Sequence, residues 1–155
     1  MRFAQKGGGP EFSHESDMNI LIIEARYFPA VADALMDGAT AALEKGSARF
    51  ERLSLPGVLE IAPAIAMAVR AGKYDGYVAL GAVAGPAHVA DACYAQAMQG
   101  LTTLGVQGLA IGNGLVQASD EGAALDIALR QDIGGDAARA CLALATFSDR
   151  LGYSR

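Results

Sequence analysis

From Asn19 onward the chain alternates between two hydrophobic patterns. Ile20-Leu21-Ile22-Ile23 is a short, unbroken apolar run, as in a parallel strand covered on both faces. Pro29 to Lys45 then carries Val31, Leu35, Ala39, Ala42 and Leu43 at the spacing of one helix face. Pro29 suits a first helical turn and Gly46 a stop. Arg49 to Leu55 reads as a second strand. Glu60 to Ala71 reads as a helix through Ile61, Ile65 and Val69, closed by Gly72. Gly76 to Leu80 is a third apolar strand, followed by a long helix from about His88 to Leu104. Val106 to Ile111 is the expected fourth strand, and Asp120 to Arg130 and Asp136 to Leu151 are two closing helices. Strands separated by helices take right-handed crossovers, so this order predicts an α/β fold: a flavodoxin-like three-layer sandwich around a four-stranded parallel sheet.

At 155 residues the chain has the size of a single domain. Residues 1–17 differ in composition from the rest: Gly7, Gly8, Gly9 and Pro10 form a flexible joint, and Met18 looks like a natural start. That stretch reads as either an expression-derived leader or an N-terminal arm, leaving residues 18–155 as the domain. Hydrophobic residues make up 52% and charged residues 19%, which excludes a disordered chain. So apolar a small domain also suggests surface buried against further copies, and hence a homo-oligomer. A net charge of −5 argues against a nucleic-acid partner. The longest uncharged run, Ala92 to Ser119, is interrupted by Gln96, Gln99, Thr102, Thr103, Gln107, Asn113 and five glycines, so no membrane span is expected. Cys93 and Cys141 form no CxxC, and His14 and His88 are the only histidines, so neither a zinc framework nor a multi-histidine metal site is available. With no signal-peptide core at the start, a cytoplasmic location is expected.

Open parallel sheets bind ligands beyond the carboxyl ends of their strands. Four unusual segments are expected there: Glu24 to Phe28, Leu55 to Glu60, Gly81 to His88, and Ile111 to Gly114. Glycines at strand ends admit a ligand to the main chain, and helix starts offer N–H groups to polar or anionic atoms. An aromatic platform, bare amides and one imidazole suit a flat polar heterocycle. Each piece also has an ordinary structural reading. Aromatics after strands usually pack, Glu60 complements a helix dipole, His88 can face solvent, and Arg26 and Arg130 can be surface charges. Gly81 to Gly85 is no P-loop, because no Gly-Lys-Ser/Thr follows.

Taken together, these segments resemble the lumazine synthase family. Ile22 to Phe28 (IIEARYF) resembles its first strand, ending in Arg-aromatic. Leu55 to Ile61 (LPGVLEI) is similar to its Pro-Gly-Ala-x-Glu-Ile segment, the most diagnostic match. Tyr74 to Gly81 resembles its third strand, Ile111 to Leu115 its fourth, and Gly134 to Ala140 its last helix start. The likeness runs from about Asn19 to Gly152. It implies condensation of a ribitylamino-substituted aminouracil with a dihydroxybutanone phosphate, without metal or organic cofactor. It also implies pentamers, sometimes stacked, with sites shared between neighbours. By this resemblance Tyr27 would stack on the pyrimidine, and Val58, Leu59 and Glu60 would hold the ribityl chain. Ala82 and Val83 would face the ring, with Asn113 on the other side of the site. Gly85, Ala87 and Arg130 would meet the phosphate, and His88 would move protons.

The chain also departs from the family pattern Gly-x-Val-Ile-Arg-Gly-Glu-Thr-x-His-Phe-Asp. Here Gly81 to Asp91 reads GAVAGPAHVAD, with Ala84, Pro86 and Ala87 in place of the Arg, Glu and Thr. Counted back from Asp91, the family's histidine falls on Val89, one residue after His88. The stretch from Gln117 to Gly134 is about two residues short and lacks the family's lysine, leaving Arg130 as its one cation. Two functions follow as alternatives: a working or weakened synthase using His88, or an impaired member serving as a flavin- or lumazine-binding module or an oligomeric scaffold. An unrelated flavodoxin-like carrier is a third reading, and it predicts a bound yellow cofactor.

Overall fold

The computed structural model describes residues 18–152, so the 1–17 segment and His14 lie outside the described residues. Strands β1 (Asn19–Ala25), β2 (Arg49–Leu55), β3 (Gly76–Ala84) and β4 (Ile111–Ala118) form one all-parallel sheet in the order β2-β1-β3-β4. Among the described residues five α-helices accompany them: α1 (Pro29–Lys45), α2 (Ile61–Val69), α3 (Ala87–Gly105), α4 (Glu121–Arg130) and α5 (Ile133–Arg150). A 3₁₀ turn, Val58–Glu60, precedes α2.

Each face of the sheet carries its own core. Ile20, Ile22, Val78 and Leu80 pack with Val31, Leu35, Ala39 and Leu43 of α1 and with the small residues of α4 and α5. Leu21, Ile23, Ala25, Tyr77 and Ala79 pack with Ile61 and Ile65 of α2 and with Ala97 and Leu101 of α3. The continuous apolar run of β1 therefore reflects burial on both sides, where each large aliphatic side chain contributes about 1.5–3 kcal/mol. All five periodic residues expected on the buried face of α1 are buried. β2 is an edge strand and mostly exposed.

The fourth strand corrects the expectation, running Ile111–Ala118 and not Val106–Ile111. Val106 to Gly108 form a turn after α3, with Gly108 at φ 98°, a left-handed conformation that cannot continue an extended chain. The third strand is longer than expected because β4 pairs with it up to Ala84↔Ala118, so Gly81 to Ala84 are strand and not loop. The helix expected from Glu60 is divided into the 3₁₀ turn and α2. α5 begins at Ile133, three residues ahead of Asp136, because Asp132 accepts a hydrogen bond from Gly135 N and caps it there. Its start is pressed against α1: a Cβ on Gly134 would lie 1.9 Å from the Leu35 carbonyl oxygen.

Candidate active site

The sheet order creates one topological switch point. The chain crosses from β1 outward to β2 and from β3 outward to β4, so a crevice opens between the carboxyl ends of β1 and β3. Open α/β sheets bind ligands at that position. Three turns border it.

The turn after β1 carries Tyr27 and Phe28. Phe28 is half-buried and packs on the core, while Tyr27 is 74% exposed and meets Phe28 edge-to-face with centroids 4.9 Å apart. One ring thus anchors the turn and leaves the other free to stack on a planar ligand.

The turn after β2 carries the 3₁₀ segment. Val58 is buried and sits over the bare backbone of β3, so closely that a Cβ on Gly81 would fall 2.7 Å from its Cγ1. Leu59 and Glu60 are exposed, and a Cβ on Gly57 would lie 3.1 Å from Glu60 Oε2, which shows the carboxylate folded back toward the Pro56-Gly57 turn. Glu60 N donates to Gly57 O at 3.4 Å. This combination offers main-chain amides and one acceptor in a small space, chemistry suited to hydroxyl groups.

The turn after β3 begins at Ala82 and Val83, which are half-buried on opposite faces of the strand. Gly85 has φ 142°, a conformation that favours glycine. Pro86 precedes α3 without a capping side chain, and Ala87, His88 and Val89 are all exposed in its first turn. His88 and Val89 therefore both stand at the helix start, one residue apart. The Gln117 side chain donates to Asp91 and ties the end of β4 to α3.

Two expected site residues lie elsewhere in the chain. Asn113 pairs with Ala79, three residues before Val116, the partner of Ala82, and so lies about 10 Å down the strand from that level. Hydrophobic patterning, which ends the fourth strand at Ile111, places Asn113 beyond it; Asn113 is instead the third residue of β4, inside the segment that resembles the family's fourth strand. Its amide donates to Met98 Sδ at 2.8 Å, and its Oδ1 accepts from Leu115 N at 3.1 Å. Arg130 ends α4, about 14 Å along the helix axis from its start. Its guanidinium is engaged twice by Asp126, including Nε to Oδ1 at 2.8 Å, and that pairing raises its pKa.

Cavities of about 500 and 880 Å³ lie at the opposite end of the sheet, around Val106, Leu109, Ala110 and Ser148. Neither is lined by Tyr27, Val58, Glu60 or His88. The first includes Asn113, together with Phe147 and Leu151 of the C-terminal region.

Glu24 opens the first of the four segments expected at the rim, but the sequence assigned it no role. Glu24 is 1% exposed and is the one buried polar or charged side chain among the described residues. Arg26 Nη1 donates to it at 2.6 Å, Ser54 Oγ at 3.2 Å and Arg52 Nη2 at 3.4 Å. The available signal was a carboxylate directly after the apolar run Ile20 to Ile23 in a parallel strand, where burial requires partners.

Residues 17–149 match the family model described as 6,7-dimethyl-8-ribityllumazine synthase. A 6,7-dimethyl-8-ribityllumazine synthase of Erythrobacter litoralis is 42% identical over 135 residues, covering 85% of this chain and 96% of the relative. The protein of the same description from Sphingopyxis alaskensis is 38% identical, covering 86% and 97%. The 6,7-dimethyl-8-ribityllumazine synthase 1 of Rhizobium meliloti is 40% identical, covering 89% and 96%.

Proposed function

The chain belongs to the 6,7-dimethyl-8-ribityllumazine synthase family, and on that premise we propose the reaction and the residues that carry it. The protein condenses 5-amino-6-(D-ribitylamino)uracil with 3,4-dihydroxy-2-butanone 4-phosphate in riboflavin biosynthesis, releasing phosphate and water. The observation that supports this reading is the switch-point edge of the sheet: the turn with the exposed Tyr27 ring, the Val58–Glu60 turn and the start of α3 lead off from the carboxyl ends of β1, β2 and β3.

Tyr27 stacks on the pyrimidine. The amides of Val58 and Leu59 and the Glu60 carboxylate hold the ribityl hydroxyls. This suits a neutral polyol, whose hydrogen bonds are costly to leave unmade. Ala82 and Val83 meet the ring through main-chain groups. His88 moves protons between amine, carbonyl and departing phosphate, and Gly85 and Ala87 offer the start of α3 to that phosphate. Asn113 and Arg130 belong to the site through a neighbouring copy in a pentamer or a multiple of pentamers. The free apolar side chains of Met67, Leu129 and Phe147 support burial between copies. Among the described residues no helix is long and apolar enough to cross a membrane.

A second reading, an impaired member that binds ribityl-pyrimidines or flavins, draws on one specific feature. From Tyr74 to Leu129 the sequence has no Lys or Arg, and Arg130 is already paired with Asp126. A phosphate clamp is therefore thinly supplied, and such clamps contribute strongly to catalysis. Steady-state assay with both substrates separates the readings. A rate above the spontaneous condensation supports the synthase. A rate no better than spontaneous, with ribityl-pyrimidine binding retained, supports the binding module.

A further inference from the structure

Burying a carboxylate costs several kcal/mol unless partners offset it, and well-packed apolar residues often serve stability as well or better. At position 24 the sheet needs no charge for packing: Ile20 and Ile22 cover the same face with aliphatic side chains. The partners of Glu24 are more informative. Arg26 lies in the turn after β1, one residue before Tyr27. Its Nη2 reaches Asp33 Oδ1 of α1 at 2.5 Å, and its backbone N donates to Leu55 O at 3.3 Å. Arg52 and Ser54 lie on β2, whose next turn carries Val58, Leu59 and Glu60. In the strand register Glu24 pairs with Ser54 itself.

We propose that Glu24 is a positioning residue for the pyrimidine–ribityl half of the site: its buried carboxylate ties the turn that presents Tyr27 to the turn that presents Val58, Leu59 and Glu60. This inference rests on the reading of that rim as a ribityl-pyrimidine site. A ligand that stacks its ring on one turn and hangs its hydroxyls on the other feels the spacing between them. Glu24 touches neither substrate. It holds Arg26 on one side and Ser54 and Arg52 on the other, so slack introduced there lengthens or misaligns several ligand contacts at once.

The test uses the assembled protein with Glu24→Gln and Ser54→Ala. Glutamine keeps the shape of the side chain but places an amide donor among donors. Ser54→Ala removes one hydrogen bond and leaves the Arg26 pair intact, so it remains informative if Glu24→Gln does not fold. The expected result for Glu24→Gln is about a 10-fold rise in KM for the ribitylaminouracil and in Kd for a ribityl-pyrimidine analogue, equivalent to one lost hydrogen bond. The KM for the four-carbon phosphate and kcat should stay within about 2-fold, since neither depends on that spacing. Ser54→Ala should move the same two constants in the same direction by a smaller factor. Lowered thermal stability with both constants unchanged would overturn the proposal, as would a fall in kcat alone. Failure of the unaltered protein to bind the analogue is a different result, because it removes the site reading itself.

Discussion

Gly81→Ala is a small perturbation aimed at the middle of the site. The added methyl would stand 2.7 Å from Val58 Cγ1, 3.2 Å from Ala25 Cβ and 3.6 Å from Leu115 Cδ2. Carbon atoms settle at about 3.5–4.0 Å, so Val58 has to retreat by about 1 Å. Val58 is β-branched and opens a 3₁₀ turn, so it cannot yield by a simple rotamer change. The turn moves with it, and Leu59 and Glu60 follow. Overpacking of this kind typically costs about 1–3 kcal/mol of stability. A displacement of this size at a positioning group can cost up to ~10²-fold in kcat/KM. Steady-state kinetics with the ribitylaminouracil varied should show the loss. Val58→Ala alone removes two methyl-sized groups and should cost about 1.6 kcal/mol by burial. Combined with Gly81→Ala, it removes the clash with Cγ1, so the double variant should cost at least about 1 kcal/mol less than the sum of the singles. Strict additivity, or an unchanged KM in Gly81→Ala, would refute the contact between Val58 and β3 as the support of this turn.

Two further outcomes follow. His88→Ala should lower kcat by ~10²–10⁴-fold if the imidazole moves protons, while Val89→Ala should stay close to the parent; the reverse ranking in the same assay would displace His88 from the mechanism. Burial pushes the Cys141 thiol up from 9.0 to about 12. Above about pH 9 the unfolded chain gives up this proton while the folded chain keeps it, so the stabilisation is complete below that pH and lost as pH rises, at about 1.4 kcal/mol per unit. Tyr77, also raised by burial from 10.0, adds its own loss only at higher pH. Urea denaturation between about pH 9 and 10 should therefore show a downward slope that Cys141→Ala flattens, and equal slopes would contradict it.

Those parts of the fold with strong local signals were legible in the sequence. α1 combines a helical period with Pro29 and Gly46 at its ends, and Ile20 to Ile23 of β1 are apolar toward both faces, so tertiary structure only confirmed the local preference. Hydrophobic patterning missed β4 because its sequence, IGNGLVQA, has weak strand propensity, whereas the resemblance of Ile111 to Leu115 to the family's fourth strand pointed to the right segment. The glycines there answer to packing, since a Cβ on Gly112 would fall 1.8 Å from the Ala137 carbonyl oxygen of α5. That error carried Asn113 past the end of a strand in which it is the third residue. The turns at Tyr27 and Val58 were legible because strand ends in this topology face the crevice. The role of Glu24 was not, because a single carboxylate gains its meaning from Arg52 and Ser54 on another strand.

The account stands on Tyr27 being free to receive a ring. Calorimetric titration of a ribityl-pyrimidine analogue into the assembled protein and into its Tyr27→Ala variant tests this most directly. The account predicts saturable binding to the parent and at least about a 10-fold weaker Kd for the variant, since one aromatic stack is worth about 1 kcal/mol or more beyond its buried area. Equal affinities for the two proteins would contradict it.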